Sequence, residues 1–425
     1  MGHAQTIVTV AAGWRRTLGV RADGTATAAT GPAALLWGSL AAFSATISTA
    51  SETMKKANSV PEFEMSNEAT LHMEDSAPLQ IGTTGTPKAA MLTHGNLNSA
   101  ALASVKLRGR RDNDVTYLAL PLSHIYGFVA LLSAAVAQTT LRLEPRFDVA
   151  RLYEALQADV TLLPGVPQMH AHLFHYARAH NKAKYDAGHL RFVSSGGAPL
   201  DPAWKREAEA FYGLPLQNGY GLTEGAAGVC ATLNEIGDPD ISVGRAMGEC
   251  VLRLDLEALG AEPDKGIGEI LLGGPQVMKG YFRDPERTAE VMTADGFFKT
   301  GDLGRFDAEG RLHIAGRSKE LIIRSGFNVY PVEVEGILTD HPEVIVAGVV
   351  GRPVEGNEEV LAFVKVAKGS PVTEEDLKAF LHDRLAPYKR PSKIVIAHEL
   401  PAAPTGKILK SKLIETFADD LAEPA

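Results

Sequence analysis

The chain has 425 residues, more than one ordinary hydrophobic core sustains, so at least two domains are expected. Hydrophobic residues make up 45% and charged ones 22%, a globular balance that excludes wholesale disorder. A net charge of -9 argues against nucleic-acid binding through a broadly basic surface. Two cysteines, Cys230 and Cys250, cannot build a disulfide framework or a cysteine-based zinc site, and reduced thiols fit a cytoplasmic protein.

From Gly24 to Ala50 no residue is charged. That length would accommodate a membrane span, but Ala, Thr, Ser and Gly dominate and supply little transfer free energy. Arg15 and Arg16 provide only a loose basic flank for a signal peptide. The stretch reads as a soluble segment, with no integral span and at most a peripheral membrane association. Residues 1–75 as a whole are Ala/Thr-rich without clear period and read as a divergent or truncated leader.

After Ser76, strand-length apolar runs alternate with helical patterns. A helix is expected near Thr93, a strand over Val115 to Leu120 and an apolar helix over Gly127 to Ala137. Asp148 reads as the N-cap of a helix through Leu156, followed by strands at Val160 to Leu163 and Phe192 to Ser195. Asp201-Pro202 opens the next helix as cap and first-turn proline. Such alternation implies an α/β domain with largely parallel strands, assigned to residues 76–316.

From Gly266 the texture changes to short strands with glycine turns (Gly268 to Leu272, Phe297 to Thr300, Leu312 to Ala315), which predicts a small antiparallel subdomain. Residues 317–425 mix strands near Leu321, Val344, Val360 and Ile394 with helices, one opening on the capping-box-like Thr373-Glu374-Glu375-Asp376. They read as a compact α+β C-terminal domain.

The strongest chemical signal is Gly82-Thr83-Thr84-Gly85-Thr86-Pro87-Lys88. Glycines let backbone amides fold around an anion, the threonines add hydroxyl donors, and Lys88 adds a full positive charge. A Walker A loop would need Gly-Lys-Ser/Thr in succession, so this is a different phosphate loop.

With Met91-Leu92-Thr93-His94 behind it, this loop resembles that of the AMP-forming adenylating enzymes, which include the acyl-CoA synthetases, the adenylation domains of peptide synthetases and the luciferases. Leu120-Pro121-Leu122-Ser123-His124-Ile125-Tyr126-Gly127 is similar to the family's acyl-pocket motif, and Ser195-Gly196-Gly197-Ala198-Pro199-Leu200 to its adenine-side loop. Tyr220-Gly221-Leu222-Thr223-Glu224 resembles the magnesium and nucleotide motif. Thr300-Gly301-Asp302 and Gly316-Arg317-Ser318-Lys319-Glu320 resemble the ribose and hinge motifs, and Pro404-Thr405-Gly406-Lys407 the segment of the C-terminal lysine. The motifs follow the family's order from Leu79 to Leu413.

The resemblance implies a large N-terminal domain of β-sheets flanked by helices, carrying a small β subdomain, and a mobile α+β C-terminal domain. It implies that a carboxylate attacks the α-phosphate of ATP to give an acyl-adenylate, whose acyl group then passes to a thiol. Lys88 with Thr83, Thr84 and Gly85 would hold the departing pyrophosphate, and Glu224 would hold Mg²⁺. Thr223 would bond the α-phosphate. Gly196, Gly197, Ala198, Tyr220 and Gly221 would border adenine, while Asp302 and Arg317 would hold ribose. Lys407 would compensate charge at the reacting phosphorus, and His124 would gate the acyl substrate. Lys319 would be the hinge, and Gly326 would let the pantetheine arm of coenzyme A pass close to backbone.

Taken singly, Glu224 reads as a solvated surface group, Asp302 as a turn residue, Lys407 as an exposed lysine near a helix start, Lys319 as a strand-edge lysine and Tyr220 as packing; the motif context reverses those readings for Glu224, Asp302 and Lys407. The Gly-Phe-Asn-Val-Tyr-Pro string at 326–331 is most similar to fatty-acyl-CoA ligases, and no carrier domain follows Ala425, which together favour a fatty or related carboxylic acid and free CoA. Two features depart from the family pattern. Only 81 residues precede Gly82, and Leu79-Gln80-Ile81-Gly82 is two residues shorter than the family's loop, with Ala89 where glycine is usual. These departures leave two alternatives: an adenylating enzyme with another acceptor, and a catalytically impaired nucleotide-binding homologue.

Overall fold

The computed structural model describes residues 16–20, 25–30, 70–71, 88–109, 111–182, 184–197, 200, 202–402 and 408–421. Thr83, Thr84, Gly85, Ala198 and Lys407 lie outside the described residues.

The main sheet has nine strands. Its centre is parallel, in the order Thr140–Leu143, Val115–Leu118, Leu162–Gly165, Phe192–Gly196 and Leu216–Leu222. Helices Ile125–Ala137, Val149–Ala158, Pro167–Ala179 and Pro202–Tyr212 connect these strands and cover them, as parallel pairing demands. Tyr117, Leu118, Leu141, Leu152, Leu163, Leu173 and Leu216 form its buried core. Asp148 caps its helix by accepting from the Arg151 amide at 3.0 Å, as its sequence position predicts. Ala227–Ala231 and Arg245–Ala246 extend one edge antiparallel.

The other edge departs from the sequence reading. Arg16–Val20 pairs with Thr25–Thr30, and Thr25–Thr30 pairs with Thr140–Leu143, so part of the stretch before Ser76 joins the sheet. The run Thr-Ala-Thr-Ala-Ala-Thr has β-branched residues but no apolar face, and so carries no visible period.

The antiparallel subdomain is a four-stranded sheet, Val251–Asp255, Gly268–Gly273, Phe298–Phe306 and Leu312–Arg317. It begins before Gly266, because Val251–Asp255 supplies an edge strand with exposed Val251 and lacks a strongly apolar pattern. The C-terminal sheet joins Val344–Val354 antiparallel to Asn357–Val366, which runs parallel to Lys393–Ala397. Val360, Leu361, Ala362, Phe363 and Val364 are all fully buried, because alternate residues face different layers. Val360, Ala362 and Val364 meet helices Pro331–Thr339 and Glu374–His382; Leu361 and Phe363 meet Leu413 and Phe417.

Glu374, at the first turn of its helix, ties that helix to the sheet. Burial alone would raise its pKa, but bonds from Lys378, Lys393 and the Ile394 amide outweigh this and hold it at about 2. Its folded pKa is depressed, so its contribution is fully present above the unfolded value of about 4.3 and is lost as pH falls through about 2. Glu374→Gln is expected to cost about 1–2 kcal/mol at neutral pH. In denaturant titrations the gap from wild type should close between those two pH values; a pH-independent gap would overturn the assignment.

Candidate active site

The residue after the phosphate loop is placed by strand pairing. Ala90–Thr93 pairs with Gly280–Tyr281, and the Phe282 amide donates to the Ala89 carbonyl at 2.8 Å. This sets the Lys88 ammonium over the Tyr281 ring, 5.1 Å from its centroid. The Tyr281 hydroxyl donates to Glu224 Oε1 at 2.8 Å, and the Met278 amide donates to the Glu224 carbonyl at 2.8 Å. Lys88, Tyr281 and Glu224 thus form a row of cation, phenol and carboxylate. Thr93 and Asn96 close a capping box on helix His94–Arg108, and Asn96 Nδ2 donates to the Pro275 and Val277 carbonyls, pinning the helix start to the strand behind Tyr281.

Burial pushes the Lys88 ammonium pKa down, and nearby Arg287 and Lys319 push it further, against the opposing pull of Glu224 and Asp284. A lysine held among other cations is poised for an anion.

Glu224 sits in the 3₁₀ turn Thr223–Gly225 that ends strand Leu216–Leu222. Gly221 faces the returning strand so closely that a Cβ there would lie 2.0 Å from the Ala227 carbonyl oxygen, which explains the glycine inside the motif. Thr223 is only 5% exposed, and its Oγ1 is buried without a hydrogen-bond partner among the described residues.

A second group gathers across the site. Asp302 is 4% exposed; its Oδ2 accepts from the Tyr220 hydroxyl at 2.5 Å and its Oδ1 from Arg317 Nε at 2.8 Å. Gly301 has φ of +73°, and the Asp302 amide donates to Thr300 Oγ1, so the turn aims the carboxylate at these partners. Burial, then the Asp302 charge, raises the Tyr220 pKa well above its ordinary value and keeps it a donor.

The neighbouring strand Phe192–Gly196 pairs with Leu216–Leu222 and is followed by Gly197, which has φ of +81°. The Tyr126 ring lies where a Cβ on Gly196 would be 3.4 Å from Cε1, and the Tyr126 hydroxyl is 3.3 Å from Ser194 Oγ. His124 caps the helix Ile125–Ala137: its Nδ1 accepts from the Tyr126 amide at 3.2 Å, so the helix starts two residues before the expected Gly127. Burial lowers the His124 pKa and keeps the ring neutral. Its Nδ1 is committed to the backbone, so a gating role falls to Nε2.

Lys319 lies in a 3₁₀ turn, Ser318–Glu320, between strands Leu312–Arg317 and Ile322–Arg324, rather than at a strand edge. Gly326 has φ of +81° in the two-residue turn joining Ile322–Arg324 to Phe327–Val329, a conformation that favours glycine.

The sequence profile described as AMP-binding enzyme matches residues 41–282, and that described as AMP-binding enzyme C-terminal domain matches residues 333–407. The chain belongs to the AMP-binding enzyme family. It is 34% identical over 361 residues to 4-coumarate–CoA ligase 1 of Arabidopsis thaliana, covering 81% of this chain and 63% of that protein. It is 36% identical over 352 residues to a long-chain-fatty-acid–CoA ligase of Bacillus subtilis, covering 80% and 62%. The chain therefore spans less than two thirds of the length of these relatives. The crystal structure of ATP-bound MatB from Rhodopseudomonas palustris superposes with a TM-score of 0.74 at 34% identity, over 87% of this chain and 73% of that one. That likeness agrees with the α/β fold expected from the motifs.

In this member of the family, Lys88 and Glu224 meet at Tyr281, and strand Leu216–Leu222 with the turn Thr223–Gly225 links them to the group of Tyr220, Asp302 and Arg317. Sequence reasoning missed Tyr281, which bridges Lys88 and Glu224, and Arg287, whose charge acts on Lys88. It also missed a role for Ser195 Oγ, which is buried without a partner like Thr223 Oγ1. Two orphaned hydroxyls flanking the motif loops suit a ligand rich in acceptors, because buried polar atoms are otherwise nearly always paired. For a metal, the described residues offer no cluster of three or more His, Cys, Asp or Glu. Glu224, with Oε1 taken by Tyr281, fits Mg²⁺ in its usual protein setting of one or two carboxylates completed by phosphate oxygens and water.

Proposed function

We propose that this protein activates a fatty or related carboxylic acid with ATP and transfers the acyl group to coenzyme A. The observation that carries the reading is the Thr223 hydroxyl, buried without a partner among the described residues, next in the chain to Glu224 of the Lys88–Tyr281–Glu224 row and three residues after Tyr220 of the Tyr220–Asp302–Arg317 group. In this reading Asp302 and Arg317 orient the ribose, Tyr220 borders adenine and Thr223 donates to the α-phosphate. Lys88, reinforced by Arg287, neutralises the β- and γ-phosphates. Glu224 would hold Mg²⁺, which would supply further charge neutralisation. Lys407 brings a further cation to the carboxylate and α-phosphate, which must meet although both are anions.

For the acid, Tyr126 and Gly196 offer an aromatic ring packed against a residue without a side chain. The Gly-Phe-Asn-Val-Tyr-Pro string and the 36% identity to a fatty-acid ligase support an alkyl chain there. The test is pyrophosphate release from ATP and Mg²⁺ with fatty, aryl-propenoic and dicarboxylic acids, with and without CoA. CoA-stimulated release with fatty acids best is the expected result. Release that needs a carrier protein would replace CoA as acceptor, and preference for another acid class would replace the substrate. No release from a folded, ATP-binding protein would overturn the reading.

A further inference from the structure

Asp302 lies on an irregularity of the subdomain sheet. Strand Gly268–Gly273 pairs with Phe298–Phe306 through Glu269 with Leu303 and through Leu271 with Lys299. Between those pairs Ile270 alone faces Thr300, Gly301 and Asp302, so the second strand bulges there. A bulge re-aims a side chain, and here the re-aimed group is the carboxylate that meets Tyr220 and Arg317.

Side chains from three places hold this bulge. Thr300 Oγ1 donates to the Ile270 carbonyl at 2.7 Å and accepts from the Asp302 amide at 3.1 Å. Ser318 Oγ donates to the Gly301 carbonyl at 3.2 Å. The amide of Gly301, whose φ is +73°, donates to Glu269 Oε1 at 2.9 Å. Thr300 is part of the bulge itself, whereas Glu269 reaches it from the neighbouring strand. Glu269 is half-buried, and burial raises its pKa against the Gly301 bond and the Lys299 charge. Ionised or protonated, its carboxyl keeps an oxygen that accepts from the amide.

From this arrangement we infer that Glu269 is a positioning residue for the nucleotide: it fixes the bulge at Gly301 and thereby the direction of the Asp302 carboxylate. The inference rests on the proposed reading, in which Asp302 holds the ribose. Without an acceptor at position 269 the Gly301 amide loses its partner, and the glycine backbone is free to leave its left-handed conformation. Asp302 then keeps its chemistry and loses its aim, so the ribose hydroxyls are the ligand groups that lose contact.

The test measures binding of ATP and of 2′,3′-dideoxy-ATP by calorimetry in Glu269→Ala, Glu269→Gln and Glu269→Val. ATP affinity is expected to fall about tenfold in Glu269→Ala, while dideoxy-ATP affinity stays within about twofold of wild type. Glu269→Gln keeps an acceptor and should stay within about threefold of wild type for both nucleotides. Glu269→Val lacks the acceptor but favours a strand, and it carries the same expectation as alanine if alanine loosens the sheet. In an Asp302→Ala background, Glu269→Ala should change ATP affinity by less than about twofold, because the two residues act through one contact. A readout without nucleotide is hydrogen exchange at the Gly301 amide, which should rise in Glu269→Ala and stay near wild type in Glu269→Gln. Equal losses for both nucleotides, additive effects with Asp302→Ala, or unchanged exchange at Gly301 would overturn the inference. Wild-type protein that binds ATP and dideoxy-ATP alike would refute ribose recognition by Asp302 and this inference with it. A discriminating wild type whose preference survives intact in Glu269→Ala would refute the positioning role alone.

Discussion

Asp302→Ala is expected to weaken ATP binding about 100- to 1,000-fold, measured by calorimetry without the acid substrate. The carboxylate is almost fully buried and already accepts from Tyr220 and Arg317, each on a different oxygen. Each oxygen keeps a lone pair for a ribose hydroxyl, and charged hydrogen bonds contribute about 1.5–3 kcal/mol apiece. Alanine removes both acceptors. It also strands the Arg317 guanidinium and the Tyr220 hydroxyl beside the vacated space, so both lose their orientation. Asp302→Asn separates shape from charge: it keeps one acceptor but places an amide against a donor, and should fall between wild type and alanine. Binding within about fivefold of wild type for Asp302→Ala would remove ribose recognition from this residue.

The parts of this site that could be read from sequence are those whose chemistry is local. Gly221 sits within its own motif, and its need for a missing side chain becomes clear once Ala227 is seen opposite. Glu224 and Asp302 are anchored by neighbours in sequence, Thr223 and Gly301. Tyr281, Arg287 and Lys410 are different. Tyr281 joins the site because Ala90 pairs with it across the chain, and Arg287 lies in helix Pro285–Val291, outside every motif read in the sequence. Lys410 stands three residues after Lys407 with nothing in the sequence to mark it, until the fold brings Glu320 and Glu335 to it. His124 shows the reverse case. Its motif suggested contact with substrate, whereas one ring nitrogen caps a helix, a role visible only when the helix start is known. The same holds for Thr25–Thr30, whose place is set by pairing with Thr140–Leu143 and not by any apolar face of its own.

Lys407→Ala is expected to lower acid-dependent pyrophosphate release on the order of 1,000-fold while ATP affinity changes by less than about threefold. The asymmetry follows from where charge accumulates. ATP in the ground state is already served by Lys88, Arg317 and Glu224-bound Mg²⁺ in the proposed arrangement. The incoming carboxylate adds a negative charge beside the α-phosphate, and the five-coordinate phosphorus places more charge on its oxygens. In the proposed arrangement Lys407 acts on that added charge, so its loss appears in kcat and not in nucleotide binding. Lys319 should separate from it kinetically. Lys319→Pro restricts the backbone at the turn Ser318–Glu320, so it should leave adenylate formation largely intact and slow thioester formation. Pre-steady-state measurements of the two half-reactions distinguish these outcomes. Equal loss of ATP binding and turnover in Lys407→Ala would assign the lysine to nucleotide binding. Equal slowing of both half-reactions in Lys319→Pro would mean that the turn supports the site in one conformation and does not switch it between two.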